Sequence, residues 1–469
     1  MKHTSKLLAL LAVALLVPNA GCNDPLRVSI PDIVPPTALS DSAALATVRA
    51  GAIGDFAIAY SGDHPDGSGG TGEGVIMYGG LLADEWINSE TFPTRIEVDA
   101  RTIALTNADV DLWFRLLHRA RNSAETAAAR YASTAPADPG HPEMLSLAGL
   151  TYIFFAETYC SGVPVSTLNP DGTITYGQPL SRDSLLQRAI GFFNTALAVS
   201  TDPDMTSLAS VGKGRALLDE GSFAAAGTAV AAVPTGFAYK SEHSENTTRQ
   251  ENGVFNGNAG DIRYSVAESE GGNGFPFRSV ADPRTTFVRP TGSDSVGFDG
   301  STPQYDNLRF GDRKASIPVA TGVEARLIQA EAALQAGDTG TGGAYLTALN
   351  DPRTTAASRA YYDPSPGNAG AGTTPIPAMA ALTTTDITNA GGAVKLLFAE
   401  RARWLWLTAH RLGDLRRLIR QYSRPANTVF PVGPYFKSNF PTYGVDVNIP
   451  VPVTEKNNPN FQGCLDRLP

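Results

Sequence analysis

The sequence predicts an all-α dominated fold, antiparallel helix pairs with a large loop-rich portion set among them. Three observations predict it. Apolar residues recur at three- and four-residue spacing over several long stretches. Two stretches read as helix, glycine turn, helix. Between the helical regions lie long runs rich in Gly, Asn, Asp, Ser and Thr, with only short apolar pieces.

Taken in order, Ser40 to Tyr60 is Ala-rich with helical spacing, and His64 to Gly74 is a glycine-rich loop. Thr106 to Tyr131 carries Val110, Trp113, Leu116, Leu117 and Ala120 on one stripe. Glu143 to Tyr159 repeats the pattern through Leu147, Leu150 and Phe154, and Ser181 starts a third helix through Leu186, Ile190, Phe193 and Leu197. Val211 to Val233 and Glu324 to Leu349 are the two helix–turn–helix segments, turning at Glu220-Gly221-Ser222-Phe223 and at Gly337-Asp338. Such pairs, with small residues where helices cross, resemble tetratricopeptide-type repeats. Gly392 to Tyr422 predicts a further helix, and Ser423 to Pro469 an extended, proline-rich tail. Loop-rich insertions are expected near 61–105, 237–318 and 351–385, within a single body spanning 40–469.

The composition is globular: 42% hydrophobic and 18% charged over 469 residues, with a formal net charge of −9. That balance opposes nucleic-acid binding, which needs a basic surface. At the N-terminus, Lys2 and Lys6 precede an unbroken apolar run from Leu7 to Val17, too short to span a bilayer but suited to a signal-peptide core. Pro18-Asn19-Ala20-Gly21-Cys22 follows, with small residues just before a cysteine as in a bacterial lipobox. Residues 1–21 therefore predict a lipoprotein signal peptide, Cys22 the lipidation site, and 22–39 a tether. The two remaining cysteines, Cys160 and Cys464, are expected to pair in an oxidising compartment. No Cys/His cluster suggests zinc, no complete loop motif surrounds Asp109 and Asp111 to make a calcium site, and no cofactor is expected.

The run Glu400-Arg401-Ala402-Arg403-Trp404-Leu405-Trp406-Leu407-Thr408-Ala409-His410-Arg411-Leu412-Gly413-Asp414-Leu415-Arg416-Arg417 resembles a signature of the SusD/RagB family. Gly162-Val163-Pro164, Ile328-Gln329-Ala330-Glu331-Ala332, and the tail Ile449-Pro450-Val451-Pro452, Glu455 and Asn458-Pro459 are similar to further motifs of that family, in its order. Thr408-Ala409 stands where Glu-Gly is usual. The resemblance implies a tetratricopeptide-like α–α superhelix carrying a loop-rich ligand-binding half. It also implies a lipid-anchored protein of the outer-membrane surface, partnered by a SusC-like TonB-dependent transporter and binding oligosaccharides or peptides. The signature itself reads as scaffold: Glu400 with Arg403, and Asp414 with Arg417, lie three apart on a helix and can pair along one solvated face.

Catalytic patterns are incomplete. His-Glu-x-x-His and Gly-x-Ser-x-Gly are absent, and Ser210-Val211-Gly212-Lys213 lacks the companions of a penicillin-binding nucleophile. Asp84-Glu85 offers carboxylates for a glycosidase, but adjacent strand residues point to opposite faces. A non-enzymatic binder is expected, with a protein-binding adaptor or a surface glycosidase as alternatives. Sugar binding needs flat aromatic faces and planar polar groups. The stretches offering both are Tyr78 to Arg95, with Tyr78, Trp86, Asn88, Phe92 and Arg95, and Phe275 to Phe310, with Phe275, Phe277, Arg278, Tyr305, Asn307 and Phe310. Trp86 is the leading candidate.

Overall fold

Helix starts are written into the chain. Asn107, Ser181, Asp202 and Thr321 each accept a hydrogen bond from a backbone N–H of the first turn and so cap the helices Ala108–Thr134, Arg182–Val199, Pro203–Glu220 and Gly322–Gln335. The structure, a computed structural model, describes residues 44–63, 73–169, 171–359 and 376–469. The expected signal peptide, Cys22, the tether and most of the His64 to Gly74 loop lie outside the described residues.

The helices stack in chain order. Ala108–Thr134 packs on Gly140–Thr158, that helix on Arg182–Val199, and that one on Pro203–Glu220. Pro203–Glu220 then meets Phe223–Ala229, which packs on Gly322–Gln335, followed by Ala344–Thr354 and Ala393–Trp404. Close approach depends on glycine: a Cβ at Gly212 would sit 2.3 Å from the Phe193 ring, and one at Gly149 would sit 2.8 Å from it. Phe193 fills the space that two missing side chains leave, which is the role small residues were expected to play at the crossings. Gly221, at φ 85°, makes the left-handed turn between two paired helices. The fold class is all-α dominated, as expected. Strands are short two-stranded pieces, such as Trp86–Asn88 with Tyr264–Val266 and Ala238–Ser241 with Ile317–Thr321.

Two local expectations are refined. Within the 61–105 region, the described residues include the helices Val75–Leu82 and Pro93–Asp99 around the strand Trp86–Asn88, joined by short loops. Val75–Leu82 is apolar on every side and buried throughout, the pattern of a helix enclosed by protein rather than of an amphipathic one. The helical stretch expected over Gly392 to Tyr422 is built as two helices, Ala393–Trp404 and Arg411–Arg420. The chain breaks between them, where Leu407 and Ala409 take positive φ.

The tail is not loose. Cys160 and Cys464 form a disulfide with Cα atoms 5.7 Å apart, closing a sequence separation of 304. Ile449 exchanges backbone hydrogen bonds with Thr158 and Cys160, at 2.8 and 2.9 Å. Asn458 of the Asn-Pro motif donates to the Gly177 carbonyl.

Candidate functional site

The signature residues meet in the interior. Asp414 accepts from Arg401 at 2.8 Å and Arg417 at 2.7 Å, and Arg417 reaches Glu331 at 2.5 Å. Glu400 pairs with Arg284 at 2.7 Å and Arg353 at 3.0 Å, not with Arg403, whose carboxylate partner is Asp282. The Asp414–Arg417 pair three apart on one helix is as expected, but the solvated face is corrected: Glu400, Asp414 and Arg417 are buried, and Glu400 pairs across elements instead of with Arg403. Burial alone raises carboxyl pKa values, yet the flanking guanidinium groups overrule it and hold Glu400 and Asp414 below their ordinary range. Asp84 accepts from two Arg411 nitrogens, at 2.6 and 2.7 Å. Its neighbour Glu85 accepts from Leu407 N and is pushed up to about 8 by burial. Both carboxylates are enclosed, so no substrate fits between them. Asp109 and Asp111 also have protein partners, Thr94 and Arg115.

Several candidate ligand residues are interior. Trp86 is 1% exposed, on a strand paired with Val266, its ring lying where a Cβ on Gly80 would be. Tyr78 is enclosed against Trp113 at 5.5 Å, and Phe277 stacks on Trp406 at 6.0 Å. Asn88 and Asn307 are buried and hydrogen-bonded, and Phe310 is buried. Tyr78, Trp86, Asn88, Asn307 and Phe310 are therefore corrected from ligand-facing to structural positions. Hydrophobic burial claimed them because each sits in a segment closed on both faces. Tyr305 is half-buried with the Arg278 guanidinium 3.7 Å over its ring.

Phe92 remains exposed, at 47%, and the structure brings a guanidinium from a distant segment over its ring. Pro93 starts the helix Pro93–Asp99, which leaves Phe92 at its N-cap, outside the packed interior. The Arg263 guanidinium covers Phe92 at 5.6 Å and Phe298 at 4.6 Å, while Arg95 covers Phe92 at 5.3 Å. Phe298 is 51% exposed, and its backbone is fastened to Ile262. Phe436 is 46% exposed beside Lys437, which bridges the Glu90 carbonyl and Asp299. Beneath the rings, Glu90 is fully buried and binds Arg263 at 2.8 Å and Arg95 at 3.2 Å; Glu73 binds Arg95 at 2.8 Å. Burial pushes Glu73 up to about 8 despite Arg95. Burial also works to raise Asp299, but the Lys437 and Thr302 hydrogen bonds hold it at about 2.

The arrangement is a surface platform: two phenyl faces bound to one cation, with charged edges fixed from below. Phe92 and Arg95 were legible in the sequence. Arg263, Phe298, Phe436 and Lys437 were missed. The only local signal was an aromatic between glycine and aspartate in Gly297-Phe298-Asp299-Gly300.

Solved structures share this fold over most of the chain. A laminarin binding SusD-like protein is 13% identical, with 91% of this chain and 99% of that one covered at a TM-score of 0.56. The fold is SusD-like. A SusD/RagB family protein from Bacteroides thetaiotaomicron is 12% identical, with 88% and 94% covered at a TM-score of 0.57. NanU of B. fragilis is 13% identical, with 93% and 100% covered at 0.59. No family model and no curated protein matches the sequence. The SusD-like fold agrees with the motif resemblance, and the signature proves to be the buried ion-pair network described above. No helix of the described residues is long and apolar enough to cross a membrane.

Proposed function

We propose that this chain is a SusD/RagB-type lipoprotein of the outer-membrane surface. It captures oligosaccharides, or peptides, without chemical change and delivers them to a SusC-like TonB-dependent transporter. The observation that carries this reading is the exposed platform of Phe92, Arg263 and Phe298 on a SusD-like fold. Flat phenyl faces suit the C–H side of a sugar ring, and the guanidinium groups suit its hydroxyls. A solved structure of this fold is described as laminarin binding, which supports glycan as the ligand class. The lipid on Cys22 would hold the body at the membrane, and the transporter would move the ligand across.

Calorimetry with a panel of oligosaccharides, including laminarin fragments, and short peptides tests the proposal. Phe92→Ala and Phe298→Ala are each expected to weaken binding by about 1–3 kcal/mol, the scale of an anchor residue. Unchanged affinity in both variants overturns the platform as the site, and shortened glycans in the mixture overturn capture without catalysis. Mass spectrometry of the mature protein should find diacylglycerol on Cys22, and a TonB-dependent barrel should co-purify from native membranes.

A further inference from the structure

A second concave surface lies among the helices Ala393–Trp404 and Arg411–Arg420, the loop 273–276 and the segment 424–429, and encloses about 750 Å³. None of the groups that form the platform lines it. Its floor is aliphatic and aromatic, with Val394, Phe398, Leu415, Leu418 and Val429. Four cations line it, Lys395, Arg403, Arg411 and Arg424, and no carboxylate does. That is unusual in a chain of net charge −9.

The nearest carboxylates are already engaged. Asp84 is bound by Arg411 at 2.6 Å, and Asp282 is shared between Arg284 at 2.7 Å and Arg403 at 3.3 Å. Burial and the neighbouring Arg284 push Arg403 below its ordinary value, as a local excess of positive charge would. Lys395 and Arg424 are exposed and have no carboxylate partner among the described residues. The wall is fixed. Phe275 lies between two guanidinium groups, 4.9 Å from Arg403 and 5.3 Å from Arg411, and its N–H donates to Asp84 at 2.8 Å. Asn273 spends its amide on the Asn427 carbonyl at 2.6 Å. Few neutral polar groups are left for a sugar, while an apolar body would cover the floor and an anionic head would meet the cations.

We propose that this cleft binds a small anionic amphiphile, a carboxylate on a hydrocarbon body, seated on Val394, Phe398 and Leu418 with its head between Lys395 and Arg424. The volume suits one such molecule. Binding is independent of the platform.

The probe is decanoate on the full-length chain, with 1-anilinonaphthalene-8-sulfonate as fluorescent reporter. Decanoate should displace the reporter at least tenfold more tightly than decanol. The double variant Lys395→Glu/Arg424→Glu, whose side chains are exposed and whose melting should match the parent, should lose tenfold or more in decanoate affinity. Phe92→Ala should bind decanoate as the parent does. Equal displacement by decanol, undiminished binding in the charge-reversed variant, or a loss in Phe92→Ala each overturns the proposal. So does displacement by a glutamate-rich peptide as tight as that by decanoate, which would make the cleft a protein-docking surface.

Discussion

Two arginine-rich regions of this molecule use the same side chain to opposite ends. In the signature network, Arg401, Arg417 and Arg284 face Asp414, Glu331 and Glu400 with little access to water. At the platform, Arg263 turns one edge to buried Glu90 and lays its face over two exposed phenyl rings. In the interior a guanidinium must have carboxylates on most sides, because an uncompensated buried charge is costly. At the surface one buried anchor suffices, and the flat face is left for stacking. The difference teaches that the arginines marking this fold in sequence are its scaffold, while those beside a ligand surface carry no such mark.

The comparison can be broken at the network first. Asp414→Ala strands Arg401 and leaves Arg417 with Glu331 and Asp219, and denaturant unfolding should show a loss of about 3–5 kcal/mol, the scale of a buried pair deprived of one partner. A loss below about 1 kcal/mol would mean that the pairs act as surface pairs do.

The pH response separates two kinds of buried acid. Glu85 is raised from 4.5 to about 8, so its proton is held more tightly folded than unfolded. Its contribution to stability is full below the unfolded value and falls as pH rises toward the folded one. Glu85→Gln should therefore reduce the decline in stability between about pH 5 and 8, measured by unfolding at both ends. Glu400 and Asp414, held low, work with the opposite sign: their contribution is present above the unfolded carboxylate value and is lost as pH falls below it. An unchanged slope in Glu85→Gln would remove that carboxyl from the account.

Smaller effects sharpen the contrast. Ala409 sits at φ 61° in the break between the two signature helices. Ala409→Gly should stabilise the fold by about 0.5–1 kcal/mol, since glycine takes that conformation without the Cβ penalty; a lower melting temperature would contradict it. Phe298→Ala should melt within about 0.5 kcal/mol of the parent, as an exposed position does. A larger drop would make Phe298 part of the scaffold rather than of a binding surface.

The helix pairs were legible because a stripe such as Val110, Trp113 and Leu117 repeats at helical period, and because Ser181 announces a start. Val75–Leu82 was not, since a helix that is apolar all round shows no stripe. Trp86 misled for a related reason: a polar neighbourhood in sequence, Asp84-Glu85 before it and Asn88 after, is here a set of buried, partnered groups. Nothing local distinguishes a carboxylate that faces water from one that faces Arg411.

By itself, then, the sequence determined the helical class, the order of the pairs and the motif positions of Glu331, Glu400 and Asp414, because these depend on local period, capping and residue identity. Only the tertiary structure decided that Arg417 bonds Glu331 across 86 positions, that Glu400 pairs with Arg284 across 116, and that Phe92 and Phe298 share the Arg263 guanidinium. Those pairings are long-range, and each is chosen by which surfaces are left over once the apolar stripes have been buried.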